Sequence, residues 1–152
     1  MTGTHATIVI PRWHPPRLNQ WDGRHWAARA RLKRQTRDMV AAYARQLGVP
    51  PATGKRRVGL AVWLRPRCRG GDPDAYHKAL LDALVACRLL VDDARQWCEI
   101  TPVRYERRRD WWGCEITLED VPSDGLSVAP VPPPRRRGKR ERRLFDGENG
   151  AN

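Results

Sequence analysis

Five aspartates, Asp72, Asp74, Asp82, Asp92 and Asp93, fall within 22 residues of a chain whose formal net charge is +12. Acid gathered inside a basic protein calls for a cation to neutralise it. Hard divalent ions such as Mg²⁺ take carboxylate oxygens as ligands. A basic surround about such an ion suits a phosphodiester, whose hydrolysis a bound metal assists. The residue types therefore point to metal-dependent nuclease chemistry.

Spacing sharpens this. A helix is expected from Pro73 to about Cys87, with Asp72 as its N-cap and Pro73 in its first turn. On it Asp74, Lys78 and Asp82 recur at i, i+4 and i+8, which sets them on one stripe. Tyr76, Leu80, Leu84 and Cys87 fall on another face, suited to packing against a sheet. Asp92-Asp93 ends a short loop after Leu89-Leu90-Val91. If that loop folds back on the start of the helix, Asp72, Asp74 and Asp93 converge. Their mutual repulsion is then best offset by a divalent ion. Lys78, one turn beyond Asp74, is placed to touch a phosphate or the charge developing in the transition state. Each residue alone also has an ordinary reading. Asp72 serves as a cap, Asp74, Lys78 and Asp82 as exposed ion pairs of little energetic weight, and Asp92-Asp93 as a turn. The pattern as a whole is more specific than its parts.

The elements that must position these residues are legible from periodicity. Residues 6–11 read as a strand ended by proline, followed by an irregular loop over 14–19. From Trp26 to Leu47 the pattern is helical, with Leu32, Met39, Val40, Tyr43 and Leu47 on one face, and Gly48 and Pro50-Pro51 stop it. Alternation of Val58, Leu60, Val62 and Leu64 marks a strand over 56–65, and an Arg/Gly-rich loop, 65–71, leads into the acidic motif. Strands over 95–106 and 111–119 are expected to form a hairpin about the turn 107–110. The fold class is α/β in the broad sense (α+β), with a small mixed sheet of about four strands and two main helices. Residues 1–120 form the domain. Residues 121–152, rich in Pro, Gly, Ser and Arg, read as a disordered basic tail.

Positive charge is not confined to the tail. Residues 121–152 hold 7 Lys/Arg and 4 Asp/Glu, which leaves +9 of the +12 on residues 1–120. A domain this basic suits a nucleic-acid partner. Arg29, Arg31, Lys33 and Arg34 of the first helix, with Arg67 and Arg69 of loop 65–71, are the candidates for gripping the phosphate backbone. Trp21 and Trp26 could stack on unpaired bases or pack onto the sheet. Trp63, Trp97 and Trp112 lie in strand patterns and read as core. His77 reads as a surface or packing residue, and His14 and His25 as exposed loop histidines within reach of DNA. The four cysteines, with no C-x-x-C pair, argue against a zinc site and against a dense disulfide framework and read as free thiols. No apolar run approaches membrane-spanning length, and no signal segment opens the chain, so a cytoplasmic location is expected.

The run Asp72-x-Asp74-x-x-x-Lys78-x-x-x-Asp82-Ala83-Leu84, followed by Asp92-Asp93-x-x-Gln96, resembles the signature of the RusA family of Holliday junction resolvases, small proteins of bacteria and their phages. Pro15-Pro16-x-x-Asn19 also resembles that family's proline-rich loop before its first helix. The resemblance covers roughly residues 6–119. It implies Mg²⁺-dependent cleavage of four-way junctions and related branched DNA in recombination and repair, with Mn²⁺ as a substitute metal, by a homodimer that cuts two strands symmetrically. It matches Asp72, Asp74 and Asp93 to the family's metal-binding catalytic acids and Lys78 to its catalytic lysine. One departure stands out: the family has Asn after its second acid, and here Ala75 offers no hydrogen bond to a carboxylate or to DNA. The rival expectation is a non-catalytic protein on the same scaffold that binds branched DNA or RNA.

Overall fold

The computed structural model describes residues 3–21 and 23–122. All but the first two residues of the expected tail lie outside them. The chain order is β1 (His5–Pro11), α1 (Leu18–Trp21), α2 (Trp26–Gln46), β2 (Arg56–Leu64), a turn of 3-10 helix (Pro73–Tyr76), α3 (His77–Ala86), β3 (Cys98–Ile100), β4 (Arg104–Arg107) and β5 (Gly113–Asp120). The fold is thus α+β, with one mixed five-stranded sheet. None of the helices among the described residues is long and apolar enough to cross a membrane.

The period-2 alternation of β2 and β5 sorts their side chains onto two faces. Val58, Leu60, Val62 and Leu64 of β2 point with Cys114, Ile116 and Leu118 of β5 and Ile8 and Ile10 of β1 into the core. Helices α2 and α3 cover that face and pack against each other, α2 through Thr36, Val40 and Ala44, α3 through Ala79, Leu80, Leu81, Ala83 and Leu84. Leu47, expected on the buried stripe, caps α2 and is exposed, and the smaller Thr36 and Ala44 take the inner positions instead.

The expected hairpin is corrected. Strands β4 and β5 are not partners, because β2 lies between them. It pairs antiparallel with β5, from Arg56↔Asp120 to Trp63↔Gly113, and parallel with β3 and β4 on its other edge. Pro102, which has no N–H to give a ladder, lies in the break between β3 and β4. β1 runs antiparallel to β5 as an outer strand, from His5↔Glu119 to Pro11↔Gly113. Gly113 permits this closure: its φ is +157°, and a Cβ there would stand 2.4 Å from the Ile10 carbonyl oxygen.

At one end of the sheet a buried cation ties four segments together. Arg56 is 1% exposed. Its Nε–H donates to Asp120 Oδ1 at 2.6 Å, and its Nη1 donates to the carbonyls of Pro50 (3.1 Å) and Leu89 (3.0 Å). The second Asp120 oxygen accepts from the Thr4 backbone N–H at 2.8 Å. Burial pushes the Asp120 carboxyl up, but these hydrogen bonds and the Arg56 charge together outweigh it and hold the group below its ordinary value.

Candidate active site

The acidic motif opens at the other end of the sheet, where loop 65–71 leaves β2. That loop is pinned from β4: Tyr105 Oη donates to the Gly71 carbonyl at 2.7 Å, and Arg107 Nη2 to the Cys68 carbonyl at 2.7 Å. Gly70 lies flat under the Tyr105 ring, where a Cβ would come within 2.9 Å of ring carbons, and Gly71 lies against the Arg17 side chain. Neither position has room for a side chain without displacement. The two glycines thus fix the point at which Asp72 emerges.

Asp72 caps the segment after it, its Oδ1 accepting from the Asp74 N–H at 3.3 Å and its carbonyl from the Ala75 N–H at 3.0 Å. The capped segment is a 3-10 turn, with Pro73 at its start, before α3 proper begins at His77. The expected helix over 73–87 is therefore present with its first turn wound tighter. Asp72 and Asp74 are exposed, Asp74 with 93% of its side chain in solvent. The basic group beside Asp74 is His77, whose Nδ1 is 3.8 Å from Oδ1. Burial lowers the His77 pKa against the opposing pull of Asp74, so the ring is neutral at pH 7. His77 is half-buried, and its Nε2 is enclosed without a hydrogen-bond partner among the described residues. That fits the packing role read from sequence.

Lys78 is exposed in the first turn of α3, beside Ala75 and Ala79, where Pro16 and Leu18 lie close. Ala75 is half-buried there. Asp82 pairs not with Lys78 but with Lys33 of α2, Nζ to Oδ2 3.1 Å, an ion pair across the α2–α3 contact. Lys33, expected to grip DNA, is thus engaged with the acidic segment. Arg29, Arg31 and Arg34 are exposed along α2, and Arg67 and Arg69 on their loop, as a role at a backbone requires. Trp26 is 70% exposed at the start of α2, with its ring 5.5 Å from that of His25, whose Nδ1 caps the helix. The side chain of Trp21 lies outside the described residues.

Asp92 caps a turn, accepting from the Ala94 N–H at 3.1 Å. Asp93 stands beside it. A hydrogen bond with Asp92 raises the Asp93 pKa first, then burial, then the charges of Asp92 and Asp82. Asp72 and Asp74 thus neighbour each other, and Asp93 neighbours Asp92 and Asp82. Among the described residues no three His, Cys, Asp or Glu side chains gather into a group that could hold a metal ion. The donor chemistry nonetheless suits Mg²⁺: every candidate ligand is a carboxylate oxygen.

Sequence reasoning missed a neighbouring feature. A cleft of about 320 Å³ at the carboxyl end of β2 is lined by His14, Arg17, Arg65, Arg69, Tyr76 and Trp112, among others. His14, read as exposed, is half-buried, and its Nε2–H donates to the Trp63 carbonyl at 3.0 Å. Trp112, read as core, is half-buried with the Arg65 guanidinium 3.8 Å over its ring. Trp63 and Trp97 are buried as read. Only the Arg/Gly richness of loop 65–71 and the prolines after His14 signalled the cleft. The partners come from four separate segments, and no local pattern joins them. Neither the family models nor the curated proteins compared with this chain give a match.

Proposed function

We propose that this chain is a metal-dependent endonuclease that hydrolyses phosphodiester bonds in branched DNA, four-way junctions above all, as a homodimer. The observation that carries the reading is the exposed pair Asp72 and Asp74, set by a capped turn at the mouth of α3 with Lys78 on the next turn, in a strongly basic domain. Asp72, Asp74 and Asp93 would hold Mg²⁺, which supplies Lewis-acid activation of a phosphodiester. The binding of such an ion would gather these three carboxylates. Lys78 stabilises charge on the phosphate or the leaving oxygen. The exposed arginines of α2 and of loop 65–71 hold the backbone, so affinity falls steeply with salt. Cleavage of a synthetic four-way junction with and without Mg²⁺ tests this. Metal-dependent, paired nicks are the expected result, and intact strands at saturating protein and metal refute it.

One observation favours a second reading, non-catalytic binding of branched DNA or of RNA on the same scaffold. The acids are not gathered into a metal-holding group among the described residues. Ala75, in place of the asparagine of the RusA-like pattern, agrees with it. Tight junction binding with no cleavage in Mg²⁺ or Mn²⁺ would select it.

A further inference from the structure

The cleft beside the acidic mouth gathers cations from separate segments around one aromatic ring. Several other arginines meet acids: Arg57 lies between Glu99 and Glu119, Arg104 reaches Glu106 and Glu115, and Arg37 binds Asp38. The cleft brings Arg17, Arg65 and Arg69 to one opening, and no carboxylate lines it. Among the described residues none of these three arginines is in an ion pair. Three guanidinium groups converging without a counter-charge make a site for an anion.

The arginines are also positioned. The Arg65 Cζ stands 3.8 Å over the centroid of the Trp112 ring, a cation–π contact that restrains the guanidinium at the cleft. His14 meets the same ring edge-on, at 5.2 Å, and is itself held by the Trp63 carbonyl. Burial lowers the His14 pKa, its carbonyl hydrogen bonds oppose this, and the Arg65 and Arg17 charges lower it further, as a positive potential in the cleft requires. Arg17 lies along Gly71, the residue before Asp72, with its Cδ and Nη1 each 3.1 Å from where a Cβ would stand. The chain therefore runs from the cationic cleft to the first candidate acid within one residue.

We propose that the cleft formed by Arg17, Arg65 and Arg69 beside Trp112 is a phosphate subsite, which seats a second backbone phosphate of the DNA strand whose scissile phosphate lies at Asp72 and Asp74. This rests on the nuclease reading. A planar guanidinium fork matches a phosphate bidentately, and a fork already restrained by an aromatic ring loses little freedom on binding. Seating one phosphate fixes the register of the strand, and so which bond faces the acids.

Binding separates this from the cleavage question. Affinity for a labelled four-way junction is measured in the presence of EDTA for the full chain, for R17Q, R65Q and R69Q, and for R57Q at the opposite end of β2 as the control. The cleft variants are expected to bind about tenfold more weakly each, and the control within about twofold. Junctions carrying one neutral methylphosphonate linkage are then scanned along each strand. The intact protein should be weakened about tenfold by a single linkage near the branch, and R65Q should be indifferent to that linkage. If R65Q fails to fold by circular dichroism, R17Q and R69Q carry the same comparison. Cleft variants that bind like R57Q, or a linkage sensitivity that persists in them, overturn the subsite even if the protein cuts junctions. Loss of that sensitivity in a protein that cuts nothing keeps the subsite and removes the nuclease. A protein that binds no junction at all refutes both.

Discussion

The two ends of the sheet treat charge in opposite ways. At one end the Arg56 guanidinium is buried and spends its donors on a carboxylate and two carbonyls from three separate segments. At the other, Asp74 stands almost wholly in solvent, with a neutral histidine 3.8 Å away as the basic group beside it. Charge that holds the fold is matched within the fold. Charge set at the start of α3 is left for something outside it. The first kind costs stability when removed, because a wholly buried side chain is lost and the buried Leu89 carbonyl is left without its donor. The second kind costs little stability, because its loss leaves nothing orphaned.

That contrast can be broken most decisively at Asp74. Asp74→Asn should abolish Mg²⁺-dependent junction cleavage while shifting unfolding free energy by no more than about 0.5 kcal/mol and leaving junction binding nearly intact. Near-normal cleavage at saturating DNA would show that Asp74 belongs to the structural kind. The opposite outcome is expected of Arg56→Met, a loss of about 3–5 kcal/mol in a urea titration, since it strands Asp120 and two carbonyls. A loss below about 1 kcal/mol would mean that water replaces the guanidinium freely.

Lys78→Ala tests an intermediate case, an exposed cation assigned to chemistry. Single-turnover cleavage should fall about a hundredfold, with affinity changed less than about threefold, and Lys78→Arg should rescue poorly, because a planar fork does not replace a compact charge. Weakened binding with an unchanged rate would move Lys78 among the backbone-gripping residues.

The smallest effect is in pH. The Asp120 pKa is held below its ordinary value of 3.8, so its contribution is complete above that value and is lost as pH falls through the folded one. Thermal unfolding followed below about pH 4 should show a steeper decline for the natural chain than for Asp120→Asn, which has no carboxyl to protonate. Equal slopes would place the acid sensitivity elsewhere.

Much of this architecture was legible in the sequence because it is local. The α2 helix, the strands at 6–11 and 56–65 and the Asp72 cap arise from periodicity and from one residue's chemistry. What periodicity does not carry is which strand lies beside which. The hairpin expected for 95–106 and 111–119 was the short-range solution, but β2 lies between the two. Arg56, two residues ahead of Val58 and the alternating apolar run, looks like any surface arginine until Asp120 arrives from 64 positions away. The Asp82–Lys33 pair and the His14–Trp63 hydrogen bond were hidden for the same reason. Of the candidate site, the identities and helical offsets of Asp72, Asp74 and Lys78 were readable. Whether Asp93 joins them in a metal-holding group, which it does not among the described residues, was not, because that depends on how a loop after α3 is folded.

The place of β5 has a consequence for how the molecule is made. The last strand of the domain is an inner one, bonded on one side to β1, the first, and on the other to β2. Until residues 113–120 have emerged from the ribosome, β1 has no partner and β2 lacks its antiparallel neighbour. The apolar faces of both then have to wait in an open state, with free edges able to pair with other chains. Assembly of the core is therefore a late, long-range event, slow for a domain of this size. A chain stopped a few residues short of Gly113 would lose more than its final strand: it would present two sticky edges to every neighbour.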